Sequence, residues 1–240
     1  TILAAPGTGK TTLLRQWDAA DERPFAWVAP ADAADPQRVA ALATAAESPV
    51  VLVLDDIDRH PDAGGALVRE LARQTLPAGV AIVVAGRGLD RRALTALRLR
   101  PELIEVTDAE LALDETSAAA VLGDEVDEDT RARILRRTQG WAVGLQLARV
   151  AFGRDRQAEF TGADRLVLDY LETEVLDELD ADLSEFLLGI SPFEELTAPL
   201  CDAVLGSTDA QSRLELLERR HLFVSAVDRD PIMNTMSGCR

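Results

Sequence analysis

The sequence predicts an α/β protein: a parallel sheet flanked by helices in the first half, followed by helices in the second. Three observations predict it. A glycine-rich loop joins an apolar strand to a helix at the N-terminus. Apolar runs of strand length then alternate with helical patterns up to about residue 110, which implies a parallel sheet covered by helices. Beyond Leu111 the apolar spacing turns helical.

Each element has a local reason. Thr1 to Ala4 is a short apolar strand, and the first helix opens at Lys10-Thr11 and runs through Trp17. Residues 25–28 form a second strand, followed by a Pro/Asp-rich loop from Pro30 to Pro36. A helix is expected over 37–46, with Pro36 at its first turn, where a missing N–H costs nothing. The unbroken apolar run 50–54 reads as a strand buried on both faces. A helix over 65–74, a strand over 80–85 and a shorter strand over 103–106 complete the first half. In the second half Asp114, Asp127 and Asp182 are expected to cap helices, and Gly140, Gly162 and Gly206 to punctuate them. Residues 222–227 are the one later strand candidate, and 229–240 read as an irregular tail. There are no internal repeats.

Bulk properties narrow the function. The 240 residues suffice for one large or two to three small domains with a real core. Lys+Arg 25 against Asp+Glu 42 gives a net charge of −17, which excludes an electrostatic footprint for a nucleic-acid backbone or an anionic membrane. No apolar run approaches the ~18 residues of a membrane span. Cys201 and Cys239 have no metal or redox spacing; they suit a reducing cytoplasm, with Cys201 as a small core residue. Thr1 already lies in the first strand, so the N-terminus reads as cut.

The chemistry concentrates in two motifs. Ala4, four residues, then Gly9-Lys10-Thr11 is a phosphate-binding loop whose first glycine is replaced by alanine. Ala5, Pro6, Gly7, Thr8, Gly9, Lys10, Thr11 and Thr12 are the candidate nucleotide contacts. Gly7 and Gly9 let backbone N–H groups turn inward as an anion nest, and the helix N-terminus adds its dipole. Lys10 reaches the β- and γ-phosphates, and the Thr11 hydroxyl is a Mg²⁺ ligand. The second motif is Asp55-Asp56 at the C-terminal end of the 50–54 strand, where open α/β sheets bind ligands. Asp55 is the second Mg²⁺ ligand, and Asp56 is placed to orient or deprotonate the attacking water.

Further stretches carry a resemblance. They include Ala5 to Trp17, Ala26-Trp27-Val28, Val53 to Asp56, Leu76-Pro77 with the strand to Gly86-Arg87, and Gln139-Gly-Trp-Ala-Val-Gly-Leu-Gln-Leu147. Asp169-Tyr-Leu-Glu-Thr-Glu-Val-Leu176, Glu185 to Leu188, Pro199 to Cys201 and Leu217 to Phe223 follow. Together they resemble the nucleotide-binding module of the signal-transduction ATPases with numerous domains (STAND class), in the branch of large LuxR-type, MalT-like transcriptional regulators. The resemblance implies a P-loop NTPase core over 1–110, a helical domain over 111–160 and an incomplete winged-helix-like domain over 161–228. It implies a switch that rests with ADP, exchanges to ATP, self-associates in the ATP state, hydrolyses slowly, and reaches DNA only through a domain outside this chain. Arg87 matches the arginine that senses the γ-phosphate and is grouped with Lys10 and Asp56 as catalytic. Gly140 and Trp141 match a segment that touches the nucleotide.

The chain departs from that pattern at three places. Ala142 stands where proline is usual, and Asp58 where a histidine is usual, with His60 nearby. The diphosphate-latching Tyr-Arg-x-His segment is absent, so the chain reads as truncated. Trp17, Trp27 and Trp141 are expected in core packing, and Arg98 and Arg100 at the surface rather than acting in trans. Two other function classes remain open on the residues: a work-performing ATPase of the AAA+ type and a non-enzymatic, nucleotide-dependent interaction module.

Overall fold

The computed structural model describes residues 1–28, 35–44, 49–59, 61–154, 160, 165–177, 179–193, 195–222, 224–226 and 234–236. The chain divides into two compact units: residues 1–4 with 9–110, and residues 5–8 with 111–240.

The first unit is built on four parallel strands, β1 (Ile2–Leu3), β2 (Phe25–Trp27), β3 (Val50–Leu54) and β4 (Val80–Gly86), in the order β1-β4-β3-β2. Strand β3 lies between β4 and β2, and both of its faces are covered: Val51 and Val53 on one face and Leu54 on the other are fully buried. That burial is why its sequence is apolar without alternation. Helix α1 (Lys10–Ala20) buries Leu14, while α2 (Pro36–Thr44), α3 (Pro61–Leu71) and α4 (Arg91–Arg98) contribute to a core of Val39, Leu54, Leu67, Val68, Val84 and Ala93. Pro36 starts α2 as expected; residues 45–46 and the loop 30–34 lie outside the described residues.

Two expectations are corrected here. The helix expected over 65–74 begins four residues earlier and ends at Leu71. Gly64 sits inside it because a Cβ there would stand 2.6 Å from the Ile57 carbonyl; the glycine serves close packing. The strand expected over 103–106 is reduced to one parallel bridge, Ile2 to Val106. Val106 exchanges backbone bonds with Thr1 and Leu3, while Ile104 is 74 % exposed, so the pairing does not extend along the segment.

The second unit is mainly helical. Its helices are α5 (Asp108–Leu111, whose last residue enters this unit), α6 (Glu115–Leu122), α7 (Glu128–Thr138), α8 (Ala142–Arg154) and α9 (Arg165–Leu171). A π-helical turn, Glu172–Leu176, leads on to α10 (Ala181–Ile190), α11 (Ala198–Leu205) and α12 (Ala210–Arg219). Short strands β5 (Glu195–Leu196), β6 (Val224–Ala226) and β7 (Asn234–Met236) form an antiparallel sheet in the order β5-β7-β6. Two apolar clusters result. One joins Ala118, Leu122, Ile134, Leu145 and Ala148; the other joins Val175, Phe186, Ile190, Cys201, Leu214 and Leu217. Leu171 packs against both. Cys201 is a buried core residue, as its composition suggested.

Asp114 and Asp127 cap α6 and α7 through the N–H groups of Ser117 and Thr130, at 2.8 and 3.0 Å. Asp182 does not cap α10. Asp180 does, accepting from Leu183 N–H at 2.9 Å, because a cap must precede the helix in extended backbone, and Asp182 stands within the first turn. The tail is also corrected: Asn234–Met236 is a strand, held by pairing with the nearby β6 and with β5, which lies farther back along the chain. Gly206 closes α11 in the left-handed region, as expected. Gly162 and His60 lie outside the described residues.

Candidate nucleotide site

The first unit assembles a charged cluster at the start of α1. Strand β1 ends at the fully buried Ala4, whose carbonyl accepts a hydrogen bond from Lys10 Nζ at 2.8 Å. Gly9, at φ 98°, turns the chain into α1, and no side-chain hydrogen bond caps that helix, unlike α6, α7 and α10. A helix N-terminus of this kind suits an anion as its cap. Burial lowers the Lys10 pKa, opposed by the charge of Asp58 and assisted by that of Arg87. A cation so placed gains from an anionic partner, which replaces the lost hydration.

The two sequence motifs meet through one hydrogen bond. Thr11 Oγ1 donates to Asp55 Oδ2 at 2.7 Å, and the other Asp55 oxygen accepts from Asp56 N–H at 3.0 Å. Asp56 holds a left-handed backbone, φ 53°, uncommon outside glycine. Its carboxylate lies 3.2 Å from Arg59 Nε, and burial raises its pKa. Asp58 reaches the end of β4: it accepts from the Arg87 N–H at 2.9 Å and lies 3.8 Å from Arg87 Nε. Lys10, Thr11, Asp55, Asp56, Asp58 and Arg87 thus belong to one cluster at the C-terminal ends of β1, β3 and β4. Thr12, also expected at the site, is exposed.

The loop tip, residues 5–8, packs within the second unit. Thr8 Oγ1 donates to the Ala5 carbonyl at 2.9 Å. Trp141 Nε1 donates to the Pro6 carbonyl at 2.9 Å, and Val143 N–H to the Gly7 carbonyl at 3.0 Å. Gly7 has φ 71°, and a Cβ on it would stand 2.5 Å from Tyr170 Oη and 2.7 Å from Val143 Cγ2. The glycine is thus required by its backbone and by side chains of the second unit. Gly140 holds Leu113 N–H through its carbonyl at 2.9 Å, just before Trp141. Sequence reasoning did not assign Val143 or Tyr170 to the loop, although both lie in the quoted Gly-Trp-x-x-Gly and Tyr-Leu stretches. Nor did it give Asp58 a role; the signal was its position three residues after Asp55.

Other named residues resolve simply. Arg98 forms a two-pronged pair with Glu105, and Arg100 donates to the carbonyls of Ala72 and Gln74, so both have structural partners. Trp17 packs edge-on against Phe25, whereas Trp27 is 39 % exposed with Arg15 over its ring, not in a core.

Two family models match parts of the chain. Residues 1–99 match the family model "Novel STAND NTPase 5", and residues 172–233 match the "MalT winged helix domain". The HTH-type transcriptional regulator MalT of Yersinia enterocolitica serotype O:8 / biotype 1B is 27 % identical over 281 residues, covering 95 % of this chain and 31 % of that protein. MalT of Klebsiella pneumoniae (strain 342) is 30 % identical over 195 residues, covering 76 % of this chain and 21 % of that protein. The chain therefore spans less than a third of these relatives. Among solved structures, a proline-to-glycine mutant of the Thermotoga maritima RuvB Holliday junction branch migration motor aligns at a TM-score of 0.51 and 18 % identity. That alignment covers 98 % of this chain and 84 % of the other, which shows a shared fold. Residues 1–99 are a STAND-class NTPase domain and residues 172–233 a MalT-type winged helix domain, in a chain homologous to MalT-like regulators.

Proposed function

We propose that this chain is the ATP/ADP-binding switch module of a signal-responsive, cytoplasmic transcriptional regulator, and that it hydrolyses ATP slowly. The observation that carries the reading is the 2.7 Å bond between Thr11 Oγ1 and Asp55 Oδ2, which joins the phosphate loop to the carboxylate strand. Two hard oxygen donors at that separation suit Mg²⁺, which takes few protein ligands and completes its shell with phosphate and water. When bound, Mg²⁺ neutralises charge on the phosphates.

The chain's own residues do the rest. Gly7 and Gly9 present backbone N–H groups to the phosphates, and Lys10 neutralises them. Asp56 orients the attacking water and accepts its proton. Arg87, held by Asp58, reads the γ-phosphate and so gives ATP and ADP different affinities for different conformations, the requirement for any ligand-driven switch. The proposed division is a P-loop core over 1–110, a helical domain over 111–160 and a winged-helix-like domain over 161–228. The whole regulator would self-associate in its ATP state and meet DNA through a separate domain. The relatives' description as HTH-type transcriptional regulators supports the second part.

The test is a thermal shift with nucleotide. ATP·Mg at 100 times its Kd should add about 2.7 kcal/mol to native stability, and Lys10→Ala should remove that increment. A shift that persists unchanged in Lys10→Ala overturns the assignment. Binding without any single-turnover hydrolysis would instead favour the non-enzymatic interaction module.

A further inference from the structure

Trp141, Val143 and Tyr170 close on the carbonyl side of the phosphate loop, within the second unit. Trp141 Nε1 holds the Pro6 carbonyl at 2.9 Å, and Val143 N–H holds the Gly7 carbonyl at 3.0 Å. The indole in turn packs edge-on against Tyr170, ring centroids 5.6 Å apart. A trans peptide is planar, so its C=O and the N–H of the next residue point in opposite directions. Fixing the carbonyls of Pro6 and Gly7 on one side therefore aims the N–H groups of Gly7 and Thr8 to the other. An anion nest depends on that common aim, because it binds through successive N–H groups converging on one anion.

Resting on the proposed nucleotide reading, we infer that Trp141 is a positioning residue for the nucleotide's phosphate chain and does not contact the base. Indole has a single N–H donor and no acceptor, and that donor is engaged by the Pro6 carbonyl. The indole bond sets the aim of the Gly7 N–H, Val143 sets that of Thr8, and Tyr170 buttresses the indole. The recognised chemistry is a polyphosphate. Phosphate affinity then depends on the indole N–H itself, and affinity for the nucleoside does not.

The experiment compares the parental chain, Trp141→Phe, and a chain with 3-benzothienylalanine at position 141, which keeps the ring shape and replaces N–H by sulfur. Inorganic triphosphate, ATP and adenosine are titrated, each with Mg²⁺, by calorimetry. Both variants should bind triphosphate and ATP about 10-fold more weakly, equivalent to about 1.4 kcal/mol, with adenosine binding unchanged. The isostere keeps the test open if Trp141→Phe fails to fold. Parental triphosphate affinity in the benzothienyl chain overturns the inference, as does a loss confined to adenosine and ATP, which would make Trp141 a base contact. Failure of the parental chain to bind ATP or triphosphate overturns the nucleotide reading itself.

Discussion

At the scale of single residues, Asp56 combines three features: a left-handed backbone, a raised pKa caused by burial, and a bond through its N–H to Asp55. Asn tolerates the same backbone and keeps the side chain's size. Asp56→Asn should therefore bind ATP as the parent does while turnover falls by ~10²-fold or more in a single-turnover assay. Asp55→Asn should weaken Mg²⁺-dependent binding instead. Parental turnover in both variants would refute these roles. Gly7 is a second decisive position. Gly7→Ala places a Cβ against Tyr170 and Val143 at a φ that alanine avoids, so nucleotide binding by calorimetry should be lost. The phosphate loop and the paired aspartates were readable because their chemistry needs fixed residue types at fixed spacing. The role of Asp58 was not readable, because Arg87 is 29 residues away in sequence and only the β3–β4 pairing brings it near.

At the scale of elements, the helix caps give a pH prediction. Hydrogen bonds from the Thr130 N–H and hydroxyl lower the Asp127 pKa below its ordinary 3.8. A folded-state pKa lowered in this way adds stability above 3.8, lost as pH falls through the lower folded value. Asp127→Ala should melt earlier than the parent at pH 7, and the gap should narrow as pH falls below 3.8. A gap that stayed constant down to about pH 2 would mean that the cap's charge contributes nothing. The core of the second unit offers a larger effect. Phe186 is 2 % exposed among Leu183, Ile190, Leu214 and Leu217, so Phe186→Ala should cost about 3–5 kcal/mol in denaturant unfolding. Asp114 and Asp127 were found from sequence because a cap is a local device. Between Asp180 and Asp182 the sequence offers two capping side chains of the same kind, and the backbone angles preceding α10 select the first.

At the scale of the whole molecule, charge makes the prediction. With a net charge of −17, this chain by itself should give no gel shift with duplex DNA at micromolar concentration and physiological salt. A salt-sensitive shift under those conditions would contradict it. By itself the sequence determined what is local or compositional. Alternating apolar runs determined the parallel α/β core, and spacing the glycine-rich loop and acidic strand end that the Thr11–Asp55 bond joins. Only the tertiary structure decided the long-range pairings. Residues 234–236 are a strand because β5 and β6 supply partners, and 103–106 are held to β1 by one bridge alone. Trp141 and Tyr170 meet the loop tip although both lie far from it along the chain, Trp141 being 135 residues beyond Pro6. The physical reason is common to all three. A hydrogen bond between distant segments depends on where the whole chain places both partners, and neither segment's own composition encodes that placement.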